Sequence, residues 1–153
     1  VKQISVERSI WINAPRERVW RAVTRSDQIM RWWGGDFWEI SALEVGAPVK
    51  FGDPDNPIVA SVAAVIPPSE FALQWPPLPQ NHFTAMLTTF RLAEEGGGTR
   101  VTVVEAGYEG LPDDIRQRRL DSTTNGYETV LASLKAYVEH NTAGAAADLR
   151  GAG

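Results

Sequence analysis

The chain has no cysteine and only two histidines, His82 and His140, among its 153 residues. Without thiols it can form no disulfide, thiolate nucleophile or cysteine metal site, which fits a reducing compartment, so a cytoplasmic location is expected. One histidine adjoins a proline loop and the other ends the last helical stretch, so the pair is not expected to converge on a metal. No other spacing of His, Asp or Glu forms a ligand set. A nucleophile elbow, a Gly-rich loop opening a helix and a Ser–His pair are also missing. No metal or cofactor is expected. No apolar run is long enough for a signal peptide or a membrane span. Positive charge is in deficit, with a net charge of -4, which argues against nucleic acid because phosphate binding favours a concentrated basic patch. Arg116, Arg118 and Arg119 do cluster, but Asp113, Asp114 and Asp121 flank them, and the run reads as a solvated helix face.

What the chain does have is a balance of 43% hydrophobic and 22% charged residues, which suits one folded domain with one core. That domain is expected over residues 1–141, with a flexible glycine- and alanine-rich tail over 142–153. The dominant element is a helix predicted over 113–140. Leu120, Thr124, Tyr127, Leu131, Leu134 and Val138 recur at steps of three and four and line one face of it. Pro112 and two following acids mark its start, and Asn141 its stop. Its apolar face needs a cover, and the rest of the chain offers a sheet.

Residues 3–13 alternate as a half-buried strand. Two short helices are predicted next, the first opening near Pro15 and the second capped by Ser26-Asp27 and stopped by Gly34-Gly35. Strand patterns follow at 37–40, 48–52, 58–66, 71–75, 83–92 and 99–108, broken by Gly, Asn and Pro turns and by the loop Trp75-Pro76-Pro77-Leu78-Pro79. Short connections give antiparallel pairing and grouped helices give an α+β class. A strongly curved sheet gripping the last helix satisfies both apolar faces and leaves room for a cavity.

Two charges fall on faces that read as internal. Alternation puts Arg8 with Ile4, Val6 and Ile10, and Glu105 with Val101 and Val103. A lone charge inside costs several kcal/mol, so pairing or water contact is expected, as a structural ion pair, at a strand edge where Glu105 reaches solvent, or as a polar anchor or acid-base group for a ligand. Trp20, Trp32, Trp33, Trp38 and Trp75, with Phe37, Phe51, Phe71, Phe90 and Tyr108, supply more aromatic surface than a minimal core needs and suit an aromatic-lined pocket. Leu120, Thr124 and Tyr127 face the same interior, the last two with hydroxyls to offer. Gly126 costs about 1 kcal/mol inside a helix, so a side chain there is excluded by a close strand or by the cavity.

The run at residues 10–20, followed by Ser26-Asp27 and Trp32-Trp33-Gly34, resembles the helix-grip START-like superfamily called SRPBCC. Within it the chain is similar to the family of homologues of the activator of the heat-shock-protein-90 ATPase. Phe90-x-Leu92, Gly97-Gly98-Thr99-x-Val101-Thr102-Val103, Glu105-x-Gly107-Tyr108 and the helical Gly126-Tyr127 carry the same resemblance, which spans residues 4–141. It implies a seven-stranded antiparallel sheet wrapped around the C-terminal helix over a hydrophobic cavity. The expected function is binding of a small hydrophobic molecule, through a mouth near residues 33–37, the 76–81 loop and the start of the last helix. A cyclase or hydrolase using Glu105 as base and a chaperone-linked interaction module are the alternatives. A homodimer and a chaperone are the candidate protein partners.

Overall fold

The structure is a computed structural model that describes residues 4–34 and 37–151, with the side chains of Gln80 and of residues 141–151 outside the description. Its elements run β1 (Ser5–Ile12), α1 (Arg16–Thr24), α2 (Ser26–Trp32), β2 (Trp38–Ile40), β3 (Pro48–Asp53), β4 (Asn56–Ile66), β5 (Glu70–Gln74), β6 (Leu87–Glu95), β7 (Gly98–Ala106) and α3 (Asp113–Gly151). The strands form one antiparallel sheet in the order β1-β7-β6-β5-β4-β3-β2. Consecutive strands are hairpin neighbours except at one edge, where the first strand pairs with the last. An extra residue between Val62 and Ala64 shifts the β4–β5 register, and such a bulge bends a sheet. The result is the expected curved sheet around the long helix.

Alternation decides which side chains enter. On β7, Thr99, Val101, Val103 and Glu105 are buried while the residues between them are half-buried. On α3, Leu131, Leu134 and Val138 are buried against the sheet interior. Gly98 is required by contact rather than by turn geometry: a Cβ there would strike the Ile12 carbonyl oxygen and the Trp11 ring. The two glycines before it, Gly96 and Gly97, have φ of 55° and 82° and make the turn.

Several expectations shift at element ends. β6 starts at Leu87 rather than at residue 83, because a 3-10 turn at Pro79–Asn81 is followed by His82 and Phe83 at φ of 51° and 57°, which reverse the chain. β7 stops at Ala106, where Gly107 at φ 120° breaks the strand and sends Tyr108 into a second 3-10 turn. Ser26 does not cap α2; Arg25 takes that position, and the Ser26 Oγ accepts from the Ile40 N–H at 2.8 Å. The stop expected at Asn141 is passed, since helical backbone continues to Gly151. The side chains of the expected flexible tail, 142–153, and the Gly35 of the expected α2 stop lie outside the described residues. No described helix is long and apolar enough to cross a membrane.

One polar clasp ties α3 to the end of β1. The Asn13 N–H donates to Glu139 Oε2 at 2.8 Å, and Lys135 Nζ donates to the same oxygen at 2.6 Å and to the Trp11 carbonyl at 2.8 Å. The Lys135 hydrogen bond, then that from Asn13, holds the Glu139 carboxyl below its ordinary 4.5. A carboxyl held low in the folded state adds stability above its unfolded value, and this is lost as pH falls through the folded value. Between about pH 5 and pH 3 the urea midpoint is therefore expected to fall less steeply in Glu139→Gln than in the wild type. Equal slopes would show that the clasp does not contribute.

Candidate functional site

The residues that converge are those at the ends of β6 and β7 and on the first half of α3. Thr88 is the direct β6 partner of Glu105, so their side chains stand together on the inner face. Glu105 is 9% exposed. Its Oε1 accepts from the buried Tyr108 hydroxyl at 2.6 Å, and its Oε2 accepts from Thr88 Oγ1 at 3.1 Å and from the Tyr127 hydroxyl at 3.4 Å. The Trp75 Nε1–H donates to Thr88 Oγ1 at 2.8 Å, and that oxygen lies 3.2 Å from the Tyr127 hydroxyl.

Counting protons orders this network. Thr88 has one hydroxyl proton, given to Glu105, and accepts from Trp75. The single Tyr127 proton is then shared between Thr88 Oγ1 and Glu105 Oε2. A buried carboxylate is thus held by three hydroxyl donors, with no Lys, Arg or His nitrogen within 4.0 Å among the described residues. Burial first, and the Glu105 charge second, push both tyrosine hydroxyls well above their ordinary value of 10.0. They stay protonated and remain donors.

Around the carboxylate are two hollows of about 330 and 240 Å3 that share Trp33, Glu105, Arg119 and Tyr127. The larger is walled by Trp38, Phe51, Ile58, Trp75, Leu78 and Asn81, the smaller by Thr123, Gly126 and Val130. The aromatic walls hold one another: Trp33 to Trp38, Trp38 to Phe51 and Phe51 to Trp75 are each 5.0 Å between ring centroids. Arg119 donates from Nη2 to Asn81 Oδ1 at 2.6 Å, and its Nε is buried without a partner. A wider depression of about 630 Å3 lies over Trp20, Arg21, Arg25, Met30 and Leu43. It has no comparable buried polar network, so the cleft at Glu105 is the better candidate site. Among the described residues no three His, Cys, Asp or Glu side chains gather to hold a metal.

Of the residues singled out from sequence, Trp33, Phe51, Trp75, Glu105 and Tyr127 border the cleft, and Tyr108 supports it from behind. Phe90 lies beneath it, 5.5 Å from the Trp33 ring. Phe71 is buried against Trp20 instead. Leu120 packs on the core and Thr124 is half-buried, while Thr123 borders the hollow. Phe37 is half-buried outside the lining, and its β2 neighbour Trp38 takes the wall position. Arg8 does not meet Glu105: it is exposed and pairs with Glu128 of α3 at 3.3 Å. Gly126 is exposed at the edge of the smaller hollow, with nothing within 4 Å of an added Cβ, so no strand excludes a side chain there.

Arg119, Thr123 and Ile58 are lining residues that sequence reasoning did not single out, whereas Trp38 belongs to the expected aromatic set and Asn81 to the loop expected at the mouth. Arg119 is no part of a solvated face; its neighbour Arg116 turns the other way, onto the Tyr108 and Leu111 carbonyls. A signal existed in the helical spacing of Arg119, Thr123, Gly126 and Val130, which puts all four on one side of α3.

Comparison with solved structures gives the same fold at low identity. A protein from Mesorhizobium loti has 21% identity and a TM-score of 0.74, covering 90% of this chain and 98% of the other. The Aha1 dimer from Colwellia psychrerythraea has 22% identity and a TM-score of 0.69, over 89% and 96%. DynU16, from the dynemicin biosynthetic locus, has 21% identity and a TM-score of 0.69, over 88% of this chain and 47% of the other. No curated protein matches the chain. The family described as activator of Hsp90 ATPase homolog 1-like protein matches residues 13–139. With that match over most of its length and the helix-grip sheet beneath it, the chain belongs to the activator of Hsp90 ATPase homolog 1-like family.

Proposed function

We propose that the protein binds a small, largely apolar molecule in the cleft between the sheet and the first half of α3. The observation that carries this reading is the wall of Trp33, Trp38, Phe51 and Trp75 ending on the buried Glu105 side chain that borders the same hollow. Aromatic faces supply the affinity, at roughly 25 cal/mol per Å2 of apolar surface removed from water. Glu105 and Arg119 at the inner end set orientation. A relative from a biosynthetic locus supports a role beside small molecules. Native mass spectrometry of protein purified from its host is expected to show a bound species of a few hundred daltons that leaves on collisional activation. A bare protein mass, together with no uptake of neutral aromatic probes, would defeat the reading.

A second reading makes Glu105 a general base on the bound molecule, and its burial beside both hollows favours it. Glu105→Gln separates the two: retained binding with lost turnover is the enzyme result, and retained binding with no turnover in either protein is the binder result. The dimer formed by the Colwellia psychrerythraea relative supports a homodimer here, which sedimentation checks. A chaperone partner is supported by the family description alone.

A further inference from the structure

The inner end of the cleft carries two opposite charges, and one of them is short of partners. Arg119 has several N–H donors but one protein acceptor, Asn81 Oδ1. Its Nε is buried with nothing to bond, and no carboxylate lies within 4.0 Å of it among the described residues. A buried donor without an acceptor is unfavourable, and an oxygen entering beside it relieves that cost after a small turn of the long side chain. Glu105, by contrast, already accepts three hydroxyl bonds. The unmet demand of the site is for an acceptor.

Charge narrows what kind of acceptor fits. Arg119 and Glu105 border the same two hollows. An anion drawn to Arg119 is repelled by the Glu105 carboxylate, and a cation drawn to Glu105 is repelled by Arg119. A neutral dipole with its oxygen toward Arg119 meets neither penalty. The rings of Trp33, Trp38, Phe51 and Trp75 present faces and edges suited to a flat π system. Resting on the binding function proposed above, we infer that the cleft selects neutral aromatic carbonyl compounds, with the carbonyl oxygen received by Arg119. Arg119 is the specificity-determining residue, discriminating the ligand from its hydrocarbon and carboxylate analogues.

Isothermal titration at pH 7 with three matched probes tests this: 2-acetylnaphthalene, its carbon isostere 2-isopropenylnaphthalene, and 2-naphthoate. The ketone is expected to bind about tenfold tighter than either analogue. In Arg119→Met the ketone-to-isostere ratio falls to within about twofold. In Glu105→Gln the naphthoate gains about tenfold relative to the ketone, because the opposing charge is gone. Glu105→Gln also serves as the second variant if Arg119→Met fails to fold. Equal binding of all three probes overturns the carbonyl inference and leaves the binding function standing. Tightest binding of naphthoate overturns the inference too. Failure of all three to bind overturns both.

Discussion

Gly126→Trp is expected to weaken binding of the neutral fluorophore N-phenyl-1-naphthylamine by at least about 30-fold, equivalent to about 2 kcal/mol. The melting temperature is expected to be no lower than that of the wild type. These two results belong together because of where Gly126 lies. It borders the smaller hollow, and an added Cβ meets nothing within 4 Å. An indole at this position therefore projects into the space a ligand needs without striking a strand. The helix gains as the cleft closes, since glycine in a helix interior costs about 1 kcal/mol against alanine. Gly126→Ala isolates that second effect: it should raise stability by up to about 1 kcal/mol while changing affinity little. Fluorescence titration with thermal melts of all three proteins reads both. Unchanged probe binding in Gly126→Trp would place the binding site elsewhere on the molecule.

The glycine also shows how far the sequence could be read. Its cost to the helix signalled that something excluded a side chain, yet the position is exposed and no atom lies within 4 Å of an added Cβ. Only the position of neighbouring atoms shows this. Glu105 was legible because β7 is central, flanked by β1 and β6, so each residue on its inner face must be buried and alternation names them. The same alternation misplaced Arg8, because β1 is an edge strand. β1 lies against α3, but at this open edge a long side chain reaches solvent and Glu128 on the helix. Phe37 lies just before a three-residue strand that starts at Trp38 and is too short for its own pattern to fix its register. Asn81 lies in a proline loop whose inward residues depend on the backbone reversals at His82 and Phe83, and non-glycine residues carry no clear sequence mark for those reversals. The sheet and the gripping helix follow from periodicity; the chemistry at the cleft's inner end depends on irregular segments that periodicity does not reach.

Tyr108→Phe is expected to cost about 2–3 kcal/mol at pH 7, and Tyr127→Phe less than about 1 kcal/mol, although both remove a hydroxyl from the same carboxylate. The Tyr108 bond is 2.6 Å and is the one bond to Oε1, so its loss strips one side of a buried charge. The Tyr127 bond is 3.4 Å, and Thr88 continues to serve Oε2 at 3.1 Å without it. The two rings are both buried, so the hydrophobic contribution is retained in either substitution. Alkaline pH supplies an independent check. Burial, with the Glu105 charge added, raises both phenols well above 10.0 in the folded protein. An unfolded tyrosine ionises near 10, so the stabilisation is complete below that pH and is lost as pH rises toward the folded values. The wild type should therefore lose stability steeply above about pH 10, and each phenylalanine variant should lose it less steeply. Urea unfolding at pH 7 and in a series from pH 9 to about pH 11 measures both effects. Equal losses for the two variants at pH 7 would mean that the Glu105 side chain does not depend on the short Tyr108 bond, and that this bond is not what holds it toward the cleft.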